Sequence, residues 1–440
     1  MFRLSVQVNN LEKNELQLRF FLILVFTFQI MIPRTVLSYV EHDIPLKPVI
    51  LITGARQTGK TTLCELISKK HDFDYVSLAD RNERMMARKD PDMFLKIHPA
   101  PLIIDEIQYA KGLFEAMEAV VDKAKFETGH NEGMYILTGS QAYKLMEGVS
   151  ESMAGRVSII DMSPLSISEI VGREEVPFRV DFEENIKRAA SLRMDVNDVF
   201  GMIVRGSYPE LYQKPELKTS KFYSDYLDTY LARDVSEVIN LKDKEKFLTF
   251  MSVVASLTGQ ELVYETICKA VGVSKPTVES WLGILQLGGI VHLLPSYNDR
   301  SMIKSVVKRP KLYFWDTGLA CYLSKIYDPE TLRAGYLGGP MVETYIINEI
   351  LKSYSNNTED AGFYFYRDKN GNEIDLIMVR DGKPSLIECK AGMTYDSTDV
   401  KAFDRLARSN YEIGPSCLIC LTEKAYPLRK GVYALPVTSI

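Results

Sequence analysis

The stretch Lys47–Ile67, KPVILITGARQTGKTTLCELI, decides how the first half of this chain is read. Val49–Thr53 is a short apolar, β-branched run, the pattern of a buried parallel strand. Gly54, Ala55, Arg56, Gln57, Thr58, Gly59, Lys60 and Thr61 follow as G-x-x-x-x-G-K-[ST], with Thr62 directly after. Leu63, Leu66 and Ile67 then recur at helical spacing. Strand, glycine loop and helix in that order are what a phosphate-cradling loop requires. The glycines let the loop curl so that backbone N–H groups face phosphates. Lys60 supplies charge to the β- and γ-phosphates, and the Thr61 hydroxyl is a ligand for Mg²⁺. The expected ligands are ATP and Mg²⁺.

A second run, APLIIDEIQYA, supplies the other half of such a site. Leu102–Ile104 reads as a buried strand ending in Asp105 and Glu106. Asp105 would hold Mg²⁺, and Glu106 would polarise the attacking water. GMYILTGSQAY reads as a third strand, ending in Thr138, Ser140 and Gln141, polar groups suited either to sensing a γ-phosphate or to a simple turn. In SMAGRVSII, Arg156 is a candidate catalytic arginine, acting in cis or across a subunit interface, or else a surface charge.

These motifs, in this order, resemble prokaryotic AAA-type P-loop ATPases that carry a C-terminal domain of unknown function. Gly54–Leu63, Ile103–Gln108, Leu137–Ser140 and Ala154–Arg156 carry the resemblance. SPLSISEI (Ser163–Ile170), GSYPE (Gly206–Glu210) and YLARDV (Tyr230–Val235) extend it, with Ser207 standing where glycine is frequent. It runs from about Met31 onward. It implies an α/β ATPase domain over residues 31–175 and, at Arg233 and Asp234, an interface with that domain.

The bulk properties bound the rest. The chain has 440 residues, 46% hydrophobic and 25% charged, with a net charge of -5. A globular protein of several domains fits, and no global basic field points to nucleic acid. The six cysteines form no disulfide framework, which fits a cytoplasmic protein. In CLIC, Cys417 and Cys420 sit on an expected buried strand and face opposite sides of it. Phe20–Ile32 is an apolar run of 13 residues, below the ~20 that span a bilayer. It reads as a docked helix, a short anchor, or part of an upstream translation artefact ahead of a true start at Met31, and makes a poor signal peptide; a membrane partner is not expected. Residues 1–30 are set apart on that account.

Residues 176–250 read as helices, with Phe222, Tyr226 and Tyr230 as packing residues. Residues 251–325 read as a winged helix: one helix through Ile267 and Val271, a turn at Gly272–Lys275, and a recognition-like helix over Ser274–Leu287. Arg300, Lys304, Lys308, Arg309 and Lys311 would form a basic wing for DNA. Protein packing is the other use of such a unit.

Residues 326–440 close the chain. Asp381-Gly382 is a two-residue hairpin signal. With that loop, Asp375 lies opposite Glu388 and Glu373 opposite Lys390; with a loop over Asp381–Pro384, Asp375 faces Lys390. Either way Glu373, Asp375, Glu388 and Lys390 share one face. Facing carboxylates call for a cation, which a metal held by Asp375 and Glu388, or Lys390 itself, would supply. Glu343, Asp375 and Glu388-x-Lys390 together resemble a PD-(D/E)XK nuclease site. That resemblance implies a restriction-endonuclease-like α/β domain with these four residues as its catalytic set. The whole then reads as an ATPase coupled to a DNA-interacting, nuclease-like half, or as a nucleotide-dependent protein switch with a vestigial nuclease fold. A homo-oligomer or a partner protein fits either.

Overall fold

The computed structural model describes residues 31–140, 152–231, 244–297, 309–368, 370–407 and 412–440. The apolar run up to residue 30, Gln141, Arg233, Asp234, Arg300, Lys304 and Lys308 lie outside them.

The N-terminal unit is built on a parallel five-stranded sheet, ordered β2-β3-β4-β1-β5. Its strands are β1 (Val49–Thr53), β2 (Asp74–Ser77), β3 (Leu102–Asp105), β4 (Tyr135–Thr138) and β5 (Val157–Asp161). β1 is buried along its whole length because both faces are covered. Val49 and Leu51 enter one core with Phe114 and Met117 of the Leu113–Thr128 helix. Ile50 and Ile52 enter the other, with Leu63 and Ile67 of the Lys60–His71 helix. That two-sided burial explains the continuous apolar run. β1 and β3 flank β4, and the C-terminal ends of these parallel strands lie at one edge of the sheet, where ligands bind in such folds.

From Phe178 onward the chain shares one hydrophobic core that reaches Ile440. The helices Phe182–Ser191, Val196–Arg205, Thr219–Tyr230 and Lys244–Ser256 begin it, and Phe222, Tyr226 and Tyr230 are buried in it as packing residues. Next come the Tyr264–Val271 and Lys275–Leu287 helices, beside a three-stranded antiparallel sheet of β6 (Gln260–Glu261), β7 (Val291–Leu294) and β8 (Lys311–Phe314), ordered β6-β8-β7. Ser274 caps the second helix and Pro276 lies in its first turn. The core crosses residues 250 and 325 without interruption, so the expected seams there are not packing boundaries.

The C-terminal sheet has six strands, ordered β13-β14-β12-β11-β10-β9. They are β9 (Gly362–Arg367), β10 (Glu373–Arg380), β11 (Lys383–Cys389), β12 (Ser416–Cys420), β13 (Tyr426–Arg429) and β14 (Val432–Pro436). The β10–β11 ladder runs from Arg380↔Lys383 to Leu376↔Ile387, the tighter of the two registers considered. Asp381 and Gly382 both adopt positive φ, as such a turn demands. β12 is fully buried, with Cys417 in one core and Cys420 in the other, so the pair is split by the sheet.

Candidate nucleotide site and a neutralised carboxylate site

The loop after β1 curls as its glycines dictate. Gly54 has φ +135°, and a Cβ there would stand 2.3 Å from the Met162 carbonyl oxygen. Only glycine fits both the dihedral and the space. Lys60 begins the following helix and turns back on the loop. Its Nζ donates to the carbonyls of Gly54 at 2.8 Å and Ala55 at 2.6 Å. Burial pulls its pKa down to about 8, against the nearby charges of Glu106 and Asp161.

Asp105, at the end of β3, is buried. It accepts hydrogen bonds from Thr138 Oγ1, from the Tyr75 hydroxyl at 3.0 Å and from Thr61 Oγ1 at 3.3 Å. Thr61 and Asp105 are thus the oxygens here that could hold a divalent cation together. Glu106 takes a left-handed backbone (φ 60°), which swings its carboxylate toward β4. There Oε2 accepts from Gln108 Nε2 and from Ser140 Oγ at 3.4 Å. Thr138 ties the two acids together, donating to Asp105 and accepting from the Glu106 N–H at 3.3 Å.

Lys60, Thr61, Asp105, Glu106 and Ser140 line a cleft of about 890 Å³. Two of its walls escaped the sequence reading. Pro209, Glu210 and Gln213, from the GSYPE motif and the Pro209–Gln213 helix, face the P-loop across the cleft. Arg34 donates to the Thr58 carbonyl at 2.5 Å and the Ser163 carbonyl at 2.6 Å, and pairs with Glu169 at 3.0 Å. Arg34 lies in MIPRTVLSYV, where no motif marks it. Arg156 is not brought to this cleft in cis. Its guanidinium is bound to Asp122 at 2.7 Å and Glu118 at 3.2 Å, on the Leu113–Thr128 helix.

The carboxylate cluster of the C-terminal half assembles as expected, with one correction. Glu343, on the Gly338–Ser355 helix, does point to the hairpin. The cation among the acids, however, is Lys311 of β8, which the sequence reading placed on an exposed basic wing. Lys311 is 2% exposed. Its Nζ stands 2.8 Å from Glu343, 2.5 Å from Glu373 and 3.3 Å from Asp375. Tyr313, two residues along the same strand, donates to Glu343 at 2.6 Å. Asp375 Oδ2 accepts the Cys389 N–H at 3.0 Å, and Lys390 holds Glu388 at 2.5 Å. Burial, with the charge of Asp375 beside it, pushes Glu343 up to about 7 and Glu388 up to about 8. Among the described residues no group of three or more His, Cys, Asp or Glu side chains could hold a metal ion. At Asp375 and Glu388, where a metal was expected, the acids are paired with ammonium groups, Asp375 with Lys311 and Glu388 with Lys390.

The sheet order, the P-loop and the acid pair ending β3 define an AAA-type P-loop ATPase domain, joined here to further C-terminal units. A family-model comparison agrees for the N-terminal part. Residues 46–171 match the family model of an AAA domain. Residues 196–330 match a domain of unknown function (DUF8612), and residues 338–440 match another (DUF4143). Uncharacterized protein Rv2008c of Mycobacterium tuberculosis is 24% identical over 397 residues, covering 89% of this chain and 81% of the relative. Uncharacterized protein Mb2031c of Mycobacterium bovis aligns with the same figures. Among solved structures, the Walker-type ATPase paby2304 of Pyrococcus abyssi is similar with a TM-score of 0.41 and 13% identity, covering 66% of this chain and 94% of that one. A RuvB variant of Thermotoga maritima is similar with a TM-score of 0.30 and 15% identity, covering 59% and 86%. Among the described residues no helix is long and apolar enough to cross a membrane.

Proposed function

We propose that this chain binds and hydrolyses ATP and uses its nucleotide state to set the arrangement of its C-terminal half. The observation that carries this reading is the cleft itself. One wall is the P-loop with Thr61, Asp105, Glu106 and Ser140, and the other is the Pro209–Gln213 helix. Gly59–Thr61 would bind the β- and γ-phosphates through backbone N–H groups and the Lys60 ammonium, once that ammonium leaves the Gly54 and Ala55 carbonyls. Mg²⁺, when bound with the nucleotide, supplies further positive charge there, with Thr61 and Asp105 as its holders. Glu106 orients the attacking water, and Ser140 and Gln108 fix its carboxylate.

Two contacts support transmission beyond the cleft. Gly289, just past the Lys275–Leu287 helix, approaches the P-loop so closely that a Cβ on it would stand 3.0 Å from the Ala55 Cβ. Arg34 ties the Thr58 carbonyl to Glu169. Arg156 enters this reading only as a charge offered to a neighbouring subunit, since its own cleft lies out of reach.

The test is ATP turnover together with hydrogen exchange across residues 196–355, with and without nucleotide. Turnover without any change in exchange there would remove the switch and leave a plain ATPase. DNA contact is a second reading. Exposed Lys275 and Ser280 on the Lys275–Leu287 helix favour it. It predicts binding that weakens steeply with salt. Absence of such binding, and of cleavage with Mg²⁺ or Mn²⁺, leaves the protein-interaction switch.

A further inference from the structure

The carboxylates of the C-terminal cluster and the cation among them come from different parts of the chain. Glu343 stands on the long helix, and Glu373 and Asp375 stand on β10. Lys311 stands on β8, the central strand of the three-stranded sheet, where it pairs with Leu294 of β7 and Glu261 of β6. The two groups meet over a cavity of about 760 Å³ that Gln260, Glu261, Glu343, Asp375 and Lys390 also line.

Geometry decides what this meeting does. A Mg²⁺ ion held by Glu343 and Asp375 would sit about 2.0–2.1 Å from an oxygen of each. That volume is where Lys311 Nζ stands, 2.8 Å from Glu343 Oε1 and 3.3 Å from Asp375 Oδ1. A third carboxylate, Glu373, approaches the same nitrogen at 2.5 Å. Two cations cannot share that space. The Tyr313 hydroxyl at Glu343 and the Cys389 N–H at Asp375 use further lone pairs of both acids. Glu388 Oε2, by contrast, is buried with no hydrogen-bond partner among the described residues.

We infer that the Lys311 ammonium is the resident cation of the Glu343–Asp375 site, that it excludes divalent metal, and that the neighbouring sheet delivers it. The site is thus a tethered-cation site. It is closed to Mg²⁺ and Mn²⁺ while β8 is docked on the long helix and β10, and removing the ammonium opens it. This goes beyond the ATPase reading and does not depend on it.

The test is Mn²⁺ binding to the full chain without nucleotide, followed by electron paramagnetic resonance. Comparison with Asp375→Asn isolates this site from the P-loop. The wild-type chain and Asp375→Asn should bind Mn²⁺ equally. Lys311→Met, which keeps the length of the stem, should gain one equivalent, and Lys311→Met with Asp375→Asn should lose it again. A wild-type Mn²⁺ signal that Asp375→Asn removes would overturn the inference, whatever the variant does. So would a folded Lys311→Met that gains no metal. Should Lys311→Met fail to fold, Lys311→Met with Glu373→Gln takes its place, because it removes a carboxylate together with the ammonium.

Discussion

Lys352 Nζ lies 3.0 Å from Ser207 Oγ, joining two residues far apart in the chain in a fully buried contact. The same ammonium donates to the Leu165 carbonyl at 2.9 Å and to Glu349 at 2.9 Å. The other oxygen of Glu349 accepts the Ile167 N–H at 2.6 Å. One satisfied ion pair therefore locks the ATPase domain, the middle helices and the long C-terminal helix at a single point. Ser207, the departure from glycine, is a member of that lock.

Removing one partner leaves the other charge buried and alone, which costs more than the pair contributes. Lys352→Met should lower unfolding stability by about 3–5 kcal/mol, read from urea denaturation. Ser207→Gly, which removes only one acceptor, should cost about 1 kcal/mol.

Lys60→Ala should abolish ATP turnover while leaving the far-UV circular dichroism unchanged. The side chain bonds only to carbonyls of its own loop, so its loss removes phosphate charge rather than packing. Turnover that survives would remove the P-loop from the reading.

Arg34→Ala should weaken ATP affinity by roughly ten- to a hundred-fold, because charge-assisted hydrogen bonds contribute about 1.5–3 kcal/mol. Arg34 fixes the Thr58 carbonyl from outside the loop. Isothermal titration with a non-hydrolysable analogue measures the effect.

Gly289→Val should also weaken nucleotide binding, although the residue belongs to no nucleotide motif. Gly289 has φ +67°, and any Cβ would press on Ala55. The same titration checks it, with thermal melting to show that the fold persists.

Glu175→Gln should flatten the pH dependence of stability between about 4.5 and 7. Burial, with Glu169 nearby, raises the Glu175 carboxyl to about 7. Thr35 and Asn356 donate to it, and Arg173 and Arg188 lie within its field. The folded chain keeps a proton that the unfolded chain releases from about pH 4.5 upward. The contribution is therefore full below that pH and is lost as pH rises through 7. Its size is on the order of 3 kcal/mol. Denaturation midpoints of wild type and variant should coincide at about pH 4.5 and below, then diverge as pH rises toward 7, with the variant the more stable.

The parts of the fold that local pattern dictates were readable in advance. β1 and β3 were visible as apolar runs because parallel strands bury both faces. The hairpin and its shared face of Glu373, Asp375, Glu388 and Lys390 followed from Asp381-Gly382 and the alternation of strand side chains, while the choice between two registers did not. The parts that long-range packing dictates were not readable. Lys311 looked like one of several basic residues before an apolar run, and only the docking of β8 against β10 and the long helix reveals it as a counter-charge. Arg34 and Tyr75 likewise reach the nucleotide site from segments without a motif. For Arg156 the motif was legible but not its direction: Asp122 and Glu118 hold its guanidinium away from its own cleft, which leaves the across-subunit and surface-charge readings.

The continuous core from Phe178 to Ile440 has a consequence for how such chains can be inherited and engineered. The two domains of unknown function meet between residues 330 and 338, yet Leu332, Leu337, Met341 and Val342 are all buried across that join. A cut or swap there would strand an apolar face on each piece. The family boundary marks a unit of descent, whereas the unit of folding spans both domains, and the two halves are expected to travel together through any recombination.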